Sequence, residues 1–403
     1  MSDFVVREAL VLAGGLATRL GDLCADVPKC LQPVAGRPFI DHLIWNLRRQ
    51  GVRRVVLCTG RLHEVVEAHV GNGSAFGVEA VYAREPEPLG TAGALALGAR
   101  QLTGELAYAC NGDSLFDANL PDLARRLRNA PDADAALALR KEPDAARYGS
   151  VTRSANGRIL TFGEKTATGP ALVNGGVYCV RTEWLASLPA APASLETDHF
   201  PMLAARGRLT SLVSDGYFVD IGLPETLASA QTSLAAWRHK PCAFLDRDGV
   251  INVDRFYVHT PEEFTFTEGM PDAIRLLNDA GWLVIVVTNQ AGIGRGLYSE
   301  AEFTEFKEWI DERLAEAGAH IDATYHCPHH ATAGVGEYRR VCDWRKPGPG
   351  MLLAAMRDWE PDVARSFMIG DRDKDMEAAS AAGVRGVAYR NGNIAELVAG
   401  LIA

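Results

Sequence analysis

Short apolar runs alternate with helical stretches along this chain, and the alternation stops and starts again after residue 240, which restricts the fold more than any other feature. Strand-like runs at Ala9–Ala13, Arg54–Thr59, Val78–Tyr82, Ala107–Asn111 and Ala135–Arg140 are separated by helical patterns at Pro38–Gln50, His63–Val70, Thr91–Gln101 and Leu120–Asn129. Alternation at this spacing implies a mostly parallel sheet covered on both faces. A hairpin-like part follows, "GSVTRSANGRILTFGEK", with Asn156-Gly157 as its turn signal. A helical segment from Pro224 to about Trp237 then ends before Pro241. A second series opens with the apolar strand Cys242–Leu245 and continues through Leu283–Thr288, a helix from Glu300 to Ala317 and a strand at Ser366–Ile369. A chain of 403 residues is too long for one ordinary core. With no internal repeat, the sequence predicts two different α/β domains, 1–238 and 239–403.

The composition narrows the function. Apolar residues make up 47% and charged residues 23%, with a formal net charge of −10. That balance fits a globular enzyme and offers no clustered basic field for nucleic acid. No run approaches the roughly 18 apolar residues of a membrane span, and "MSDFVVREAL" carries an early acid where a signal peptide has an apolar core. Eight cysteines without framework spacing fit reduced thiols in a cytoplasm. Small phosphorylated substrates, no nucleic acid and no membrane are therefore expected; the oligomeric state is not encoded.

Two stretches are suited to handling phosphate. "LAGGLATRL" follows the first strand, where glycines let backbone N–H groups converge on anionic oxygens. Its spacing is not that of the dinucleotide fingerprint. Arg19 and Lys29 supply cations, and Gly90, Thr91 and Gly93 of "EPEPLGTAGAL" open a helix suited to backbone recognition of a base. Asp113 ends an apolar strand in "ACNGDSLF", where ligands of open α/β sheets collect, and Asp220 in "FVDIG" adds a second carboxylate. Two carboxylates at one sheet edge can hold Mg²⁺.

Together these motifs, over about residues 7–232, resemble the sugar-1-phosphate nucleotidylyltransferases, and most nearly the guanylyltransferases of D-glycero-D-manno-heptose 1-phosphate. The resemblance implies a Rossmann-like mixed sheet. It also implies that Leu12, Ala13, Gly14, Gly15 and Arg19 cradle the triphosphate of GTP and that Lys29 pairs with the transferring phosphate. Gly90 and Thr91 would contact base or ribose, and Asp113 and Asp220 would bind Mg²⁺. Glu164 and Lys165 of "FGEK", with Asn174 and Gly175 of "LVNGGVY", would hold the sugar phosphate.

The second stretch is "AFLDRDGVIN". Asp246 can attack phosphorus to give an acyl phosphate, and Asp248 can protonate the leaving alkoxide and then deprotonate water. By itself D-x-D-G also fits a calcium-type loop or a solvated turn. Later strand ends add Thr288 and Asn289 in "VIVVTNQAGIGRG", Lys346 in "RKPGPGM" and Asp371, followed by Asp375, in "FMIGDRDKDM". Asp371 can complete a Mg²⁺ site with Asp246 and Asp248.

Nucleophile, threonine, lysine and acid in this order resemble the haloacid dehalogenase-like phosphatases, with a parallel sheet and a minimal cap. "DRDGVINVDRFYVHTPEEF", "TNQAGIGRG" and "CDWRKPGPGM" resemble D-glycero-D-manno-heptose 1,7-bisphosphate 7-phosphatases and, nearby, histidinol-phosphate phosphatases. The resemblance implies a substrate pocket lined by Asp254, Tyr257, Asn289, Gln290, Arg295, Arg345 and Arg372. It also points to a zinc loop, in which Cys327, His329 and Cys342 are in place while Trp344 stands where the fourth cysteine belongs. Structural zinc takes four ligands, so His326, His330 or Asp343 would have to substitute, or the loop closes without metal.

The two resemblances share one metabolite, because a 7-phosphatase releases the heptose 1-phosphate that a guanylyltransferase uses. The competing readings are a mannose- or glucose-1-phosphate nucleotidylyltransferase fused to a histidinol-phosphate-like or broad small-phosphate phosphatase, and a binding module in which one domain senses nucleotide sugar without turnover.

Overall fold

The computed structural model describes residues 4–15, 26–143, 150–162 and 169–403. These form two compact units, Val5–Trp237 and Arg238–Ala403, the latter taking in Phe4.

In the first unit a nine-stranded sheet is seen among the described residues. Glu8–Leu12 lies between Arg54–Thr59 and Leu106–Asn111, parallel to both, and Glu79–Arg84 extends the parallel part beyond Arg54–Thr59. The long strand Ala171–Arg181 runs antiparallel to Leu106–Asn111 and to Ala135–Glu142, which Leu209–Val213 joins in parallel. The sheet is therefore mixed. Leu10, Val11, Val55 to Cys58 and Ala107 are inaccessible to solvent, as strands covered on both faces should be. The helix Gly90–Ala99 is apolar on nearly every side and buries most of its residues. It lies so close to the sheet that a Cβ at Gly98 would come within 2.7 Å of Cys58 Sγ and Leu10 Cδ2. The expected turn at Asn156-Gly157 joins the antiparallel strands Val151–Arg153 and Ile159–Phe162.

The second unit is built on five strands, all parallel, in the spatial order Ala323–Cys327, Leu283–Asn289, Cys242–Leu245, Phe367–Gly370 and Arg385–Ala388. Its helices include Met270–Asp279, Gly350–Trp359, Asp373–Ala381 and Ile394–Ile402. Glu300–Glu316 begins at a capping box, in which Ser299 and Glu302 satisfy each other's backbone N–H groups. Between the first two strands and their following helices stand only the 246–269 loop and a segment holding the short helix Ala291–Gly294. The cap is thus minimal, and the carboxyl ends of the three middle strands open directly onto a cleft.

Candidate active sites

In the first unit the cleft is walled by Leu12 to Gly15, Lys29, Glu85, Gly90, Thr91 and Asn111 to Asp113. Gly14 has no room for a side chain, since a Cβ would run into the Glu85 carboxylate and lie 2.9 Å from Gly60 N. Arg19, Glu164 and Lys165 fall outside the described residues. Lys29, on the tight turn Lys29–Leu31, forms an ion pair with Asp113. Asp220 ends the strand Phe218–Asp220, which pairs with Ser114–Phe116 so that Asp220 sits opposite Ser114, and Ile221 N donates to Asp113 O at 2.9 Å. A Cβ at Gly222 would lie 2.7 Å from Asp220 Oδ1 and 2.9 Å from Lys29 Nζ. The ammonium is thus paired with Asp113, with the Asp220 carboxylate close by across Gly222. Two carboxylates on adjacent turns are a hard-oxygen donor set that suits Mg²⁺.

Two predicted contacts prove to be engaged within the protein. Thr91 Oγ1 accepts from Leu195 N at 2.8 Å and donates to Glu196 Oε2 at 2.9 Å. Asn174 Nδ2 donates to Tyr178 Oη at 2.8 Å, and its Oδ1 accepts from Gly176 N at 3.0 Å. Gly175 packs against the Phe116 ring, where a Cβ would collide. Sequence reasoning passed over Glu85. Its Oε2 accepts from Leu89 N at 2.9 Å, and burial raises its carboxyl above the ordinary range. The signal was present, an acid five residues before Gly90 in a nucleotide-type loop.

In the second unit Asp246 follows the central strand directly and is 4% exposed. Lys346 Nζ lies 2.8 Å from Asp246 Oδ1 and 2.8 Å from Asp375 Oδ1. Lys346 is itself clamped to the neighbouring strand end, where Asn289 Nδ2 donates to Lys346 O and Lys346 N donates to Asn289 Oδ1, both at 3.0 Å. Asp248 accepts from Arg247, which is buried, at 2.8 and 3.0 Å through Nη2, from Asn252 Nδ2 at 3.1 Å and from Gln290 Nε2 at 3.1 Å. Gln290 Nε2 also donates to Thr288 Oγ1 at 2.9 Å, leaving that hydroxyl's own proton for another acceptor. Tyr298 Oη fixes the amide by donating to Gln290 Oε1 at 2.6 Å, and burial pushes the Tyr298 hydroxyl up to about 12.

Asp246, Asp371 and Asp375 bring carboxylate oxygens within 4.8 Å of one another. Burial, then the charges of Asp246 and Asp375, raise the Asp371 carboxyl above its usual range, and burial and Asp246 do the same to Asp375. Asp371 Oδ1 is buried without a hydrogen-bond partner. An orphaned oxygen in a repulsive acidic cluster is what a divalent cation relieves, so these residues fit Mg²⁺. Asp375, wholly buried, was not assigned a ligand's part by sequence; four residues after Asp371, it reads as a helix-start acid. Gly249 has φ +88°, and any Cβ there would collide with the Asp371 carboxylate, so the sharp turn after Asp248 requires glycine.

Asp254, Tyr257, Thr288, Asn289, Gln290, Arg345 and Arg372 line the same cleft, joined by Phe256 and Lys374. Arg372 pairs with Asp254 and reaches Asp371 Oδ2 at 3.5 Å. Arg295 is exposed, with its guanidinium 5.4 Å from the Tyr257 ring centroid, and does not line the cleft. Lys374 is half-buried, and desolvation lowers its ammonium below the usual lysine range.

In the loop that resembles a zinc site, Cys327, His329 and Cys342 converge within 4.8 Å. The alternatives for a fourth ligand are occupied or exposed. His326 Nε2 meets Glu300 Oε2 at 2.7 Å, His330 Nδ1 accepts from Ala333 N at 3.1 Å, and Asp343 is exposed. Among the described residues the cluster has three donors, one short of a structural zinc set.

Residues 8–236 match the family model described as nucleotidyl transferase, and residues 343–398 match one described as HAD-hydrolase-like. The D-glycero-beta-D-manno-heptose-1,7-bisphosphate 7-phosphatase of Vibrio cholerae is 50% identical over 145 residues, 36% of this chain and 78% of that protein. That of Escherichia coli K12 is 51% identical over 144 residues, covering 36% of this chain and 75% of the relative. Among solved structures, HddC from Yersinia pseudotuberculosis is 26% identical with a TM-score of 0.51, covering 57% of this chain and 100% of its own. The same protein complexed with GMP-PN aligns with 27% identity and a TM-score of 0.51.

Proposed function

We propose that this chain, which belongs to the nucleotidyl transferase family and also to that of the D-glycero-beta-D-manno-heptose-1,7-bisphosphate 7-phosphatases, carries out two consecutive steps of nucleotide-activated heptose synthesis. It is a bifunctional enzyme, a nucleotidyltransferase followed by a phosphatase. The phosphatase acts first. Asp246 attacks the 7-phosphoryl group, forming an acyl phosphate as the heptose 7-oxygen leaves with a proton from Asp248. Asp248 then takes a proton from water as that water opens the acyl phosphate and releases inorganic phosphate. Lys346, held by the Asn289 amide, offsets the charge of nucleophile and phosphoryl group, and the hydroxyl of Thr288 faces the cleft where a phosphoryl oxygen would lie. Mg²⁺ bound by Asp246 and Asp371 would neutralise charge on the transferring phosphate.

The heptose 1-phosphate left behind is the substrate of the first unit. One of its phosphate oxygens attacks the α-phosphorus of GTP, pyrophosphate leaves, and GDP-heptose forms. Lys29, paired with Asp113 in the cleft, is placed to meet the phosphate in flight, and Asp113 and Asp220 would hold Mg²⁺ there. Guanine is favoured by Glu85, a carboxylate on the cleft wall that matches the N1–H and N2–H donors of guanine. It is favoured also by the guanine nucleotide held by the HddC relative. We assign both reactions to the cytoplasm, where nucleoside triphosphates are available.

The observation that carries the reading is that each unit sets a lysine against a carboxylate at the carboxyl ends of its own strands, Lys29 with Asp113 in one and Lys346 with Asp246 in the other. The test is a rate comparison across GTP, ATP, CTP and UTP, each with heptose, mannose and glucose 1-phosphates. Preference for GTP with heptose 1-phosphate supports the reading, and preference for a hexose 1-phosphate or another base refutes it.

A further inference from the structure

The carboxylate of Glu196 is a junction between Thr91, on the wall of the first-unit cleft, and the strand that carries Asn174 and Tyr178. It sits in the helical turn Leu195–His199, a π-type turn of a kind that recurs at functional sites. Three hydroxyls donate to it: Thr91 Oγ1 at 2.9 Å, Ser194 Oγ at 3.0 Å and Tyr178 Oη at 3.2 Å. Behind Tyr178 stands Asn174, whose Nδ2 donates to the phenol oxygen at 2.8 Å. The protons therefore run one way, from Asn174 to Tyr178 to Glu196, with Thr91 donating from the other side. Tyr178 is 1% exposed, so this line of bonds is shielded where it is longest. The backbone repeats the connection. Ala92 N donates to Ala193 O and Ala193 N to Leu89 O, both at 3.0 Å, and Ala193 O fills the space a Cβ at Gly90 would need.

We propose that Glu196 is a positioning residue that couples occupancy of the sugar-phosphate subsite at Asn174 and Gly175 to the geometry of the nucleotide subsite at Gly90 and Thr91. This deepens the nucleotidyl-transfer reading of the same site and rests on it. Hydrogen bonds to a carboxylate are stronger than neutral ones and hold donors in fixed directions. A sugar phosphate that takes the Asn174 amide away from Tyr178 shifts the phenol's bond to Glu196 and, through that carboxylate, the bond of Thr91, so the affinity for nucleotide changes with it.

The test uses the full-length protein with Mg²⁺ and a GTP analogue bearing a methylene between its α- and β-phosphorus atoms. Calorimetric Kd values for the analogue are measured with and without saturating heptose 1-phosphate. The wild-type ratio is expected to fall in the roughly 5–150-fold range of ordinary site coupling. Glu196→Gln places an amide N–H₂ against a hydroxyl proton and should bring the ratio close to one. Tyr178→Phe, which keeps the buried ring, should do the same and carries the test if the first variant does not fold. Ser194→Ala removes a donor to the same carboxylate that belongs to neither subsite, and should keep the wild-type ratio. A wild-type ratio of one, or equal ratios in wild type and Glu196→Gln, overturns the coupling role while pyrophosphate release from GTP and heptose 1-phosphate remains. Absence of that release in the wild type overturns the underlying reading instead.

Discussion

Lys346 holds its ammonium 2.8 Å from Oδ1 of Asp246, and both side chains are almost wholly buried. A buried carboxylate is costly unless paired, and a paired one keeps its lone pairs available in a fixed direction. Asp246→Asn removes the proposed nucleophile and leaves Lys346 facing Asp375. Phosphate release from heptose 1,7-bisphosphate should fall by about three orders of magnitude or more, as loss of a covalent nucleophile does. Pyrophosphate release from GTP and supplied heptose 1-phosphate should be unchanged, because that site belongs to the other compact unit. A malachite-green assay beside a pyrophosphate assay reads both, and substantial phosphate release by the variant would refute the assignment.

The converse holds for Lys29. Lys29→Ala withdraws the cation paired with Asp113, and nucleotidyl transfer should slow by about 10²–10³-fold, the loss typical when one preorganised electrostatic contact is removed. Phosphatase turnover should stay at the wild-type rate. Equal loss of both activities would point to unfolding and count against a local role.

Asp371 and Asp375 give a pH-dependent prediction. Burial and the charge of Asp246 raise both carboxyls above their usual range, so the folded protein keeps protons that the unfolded chain has already released. The contribution of these groups to stability is present in acid and is lost as pH rises through their raised folded-state range. At neutral pH Mg²⁺ should reverse the loss, by about 2.7 kcal/mol at one hundred times its Kd. Asp371→Asn should raise the melting temperature in EDTA and shrink the increment from Mg²⁺. Scanning calorimetry at pH 5 and pH 7.5 measures both, and a lower melting temperature in EDTA with an undiminished Mg²⁺ increment would contradict the cation site.

Glu85 bears on the base. Glu85→Gln keeps the acceptor to Leu89 N but replaces one carboxylate oxygen by a donor. GTP should lose its advantage over UTP by about tenfold or more, the scale of one misplaced hydrogen bond to a charged group. Competition between the two triphosphates measures it, and an unchanged ratio would remove Glu85 from base recognition.

What the sequence discloses follows the range of its patterns. Asp113, Asp246 and Asp371 are legible because a carboxylate within a few residues of the end of an apolar run is a local signal, and the structure sets each just past a strand end. The strand Ala171–Arg181 is hidden, since Asn174-Gly175-Gly176 interrupts its apolar run, and the pairing register shifts between Asn174 and Tyr178. Asp375 looks like a helix-start acid until folding carries Lys346 to it from 29 residues back (375 − 346). Thr91 looks free for a ligand until the 194–196 segment, more than a hundred residues later, takes its hydroxyl. Arg295 has the right charge, but its side chain stacks over Tyr257 and stays off the cleft wall.

The most direct test of two consecutive activities is phosphorus NMR of the protein with heptose 1,7-bisphosphate, GTP and Mg²⁺, followed in time. The 7-phosphate resonance should decay into inorganic phosphate first, and pyrophosphate and the sugar-nucleotide diphosphate pair should appear only as heptose 1-phosphate accumulates. Pyrophosphate formed while the 7-phosphate stays intact, or phosphate release never followed by a sugar nucleotide, would contradict it.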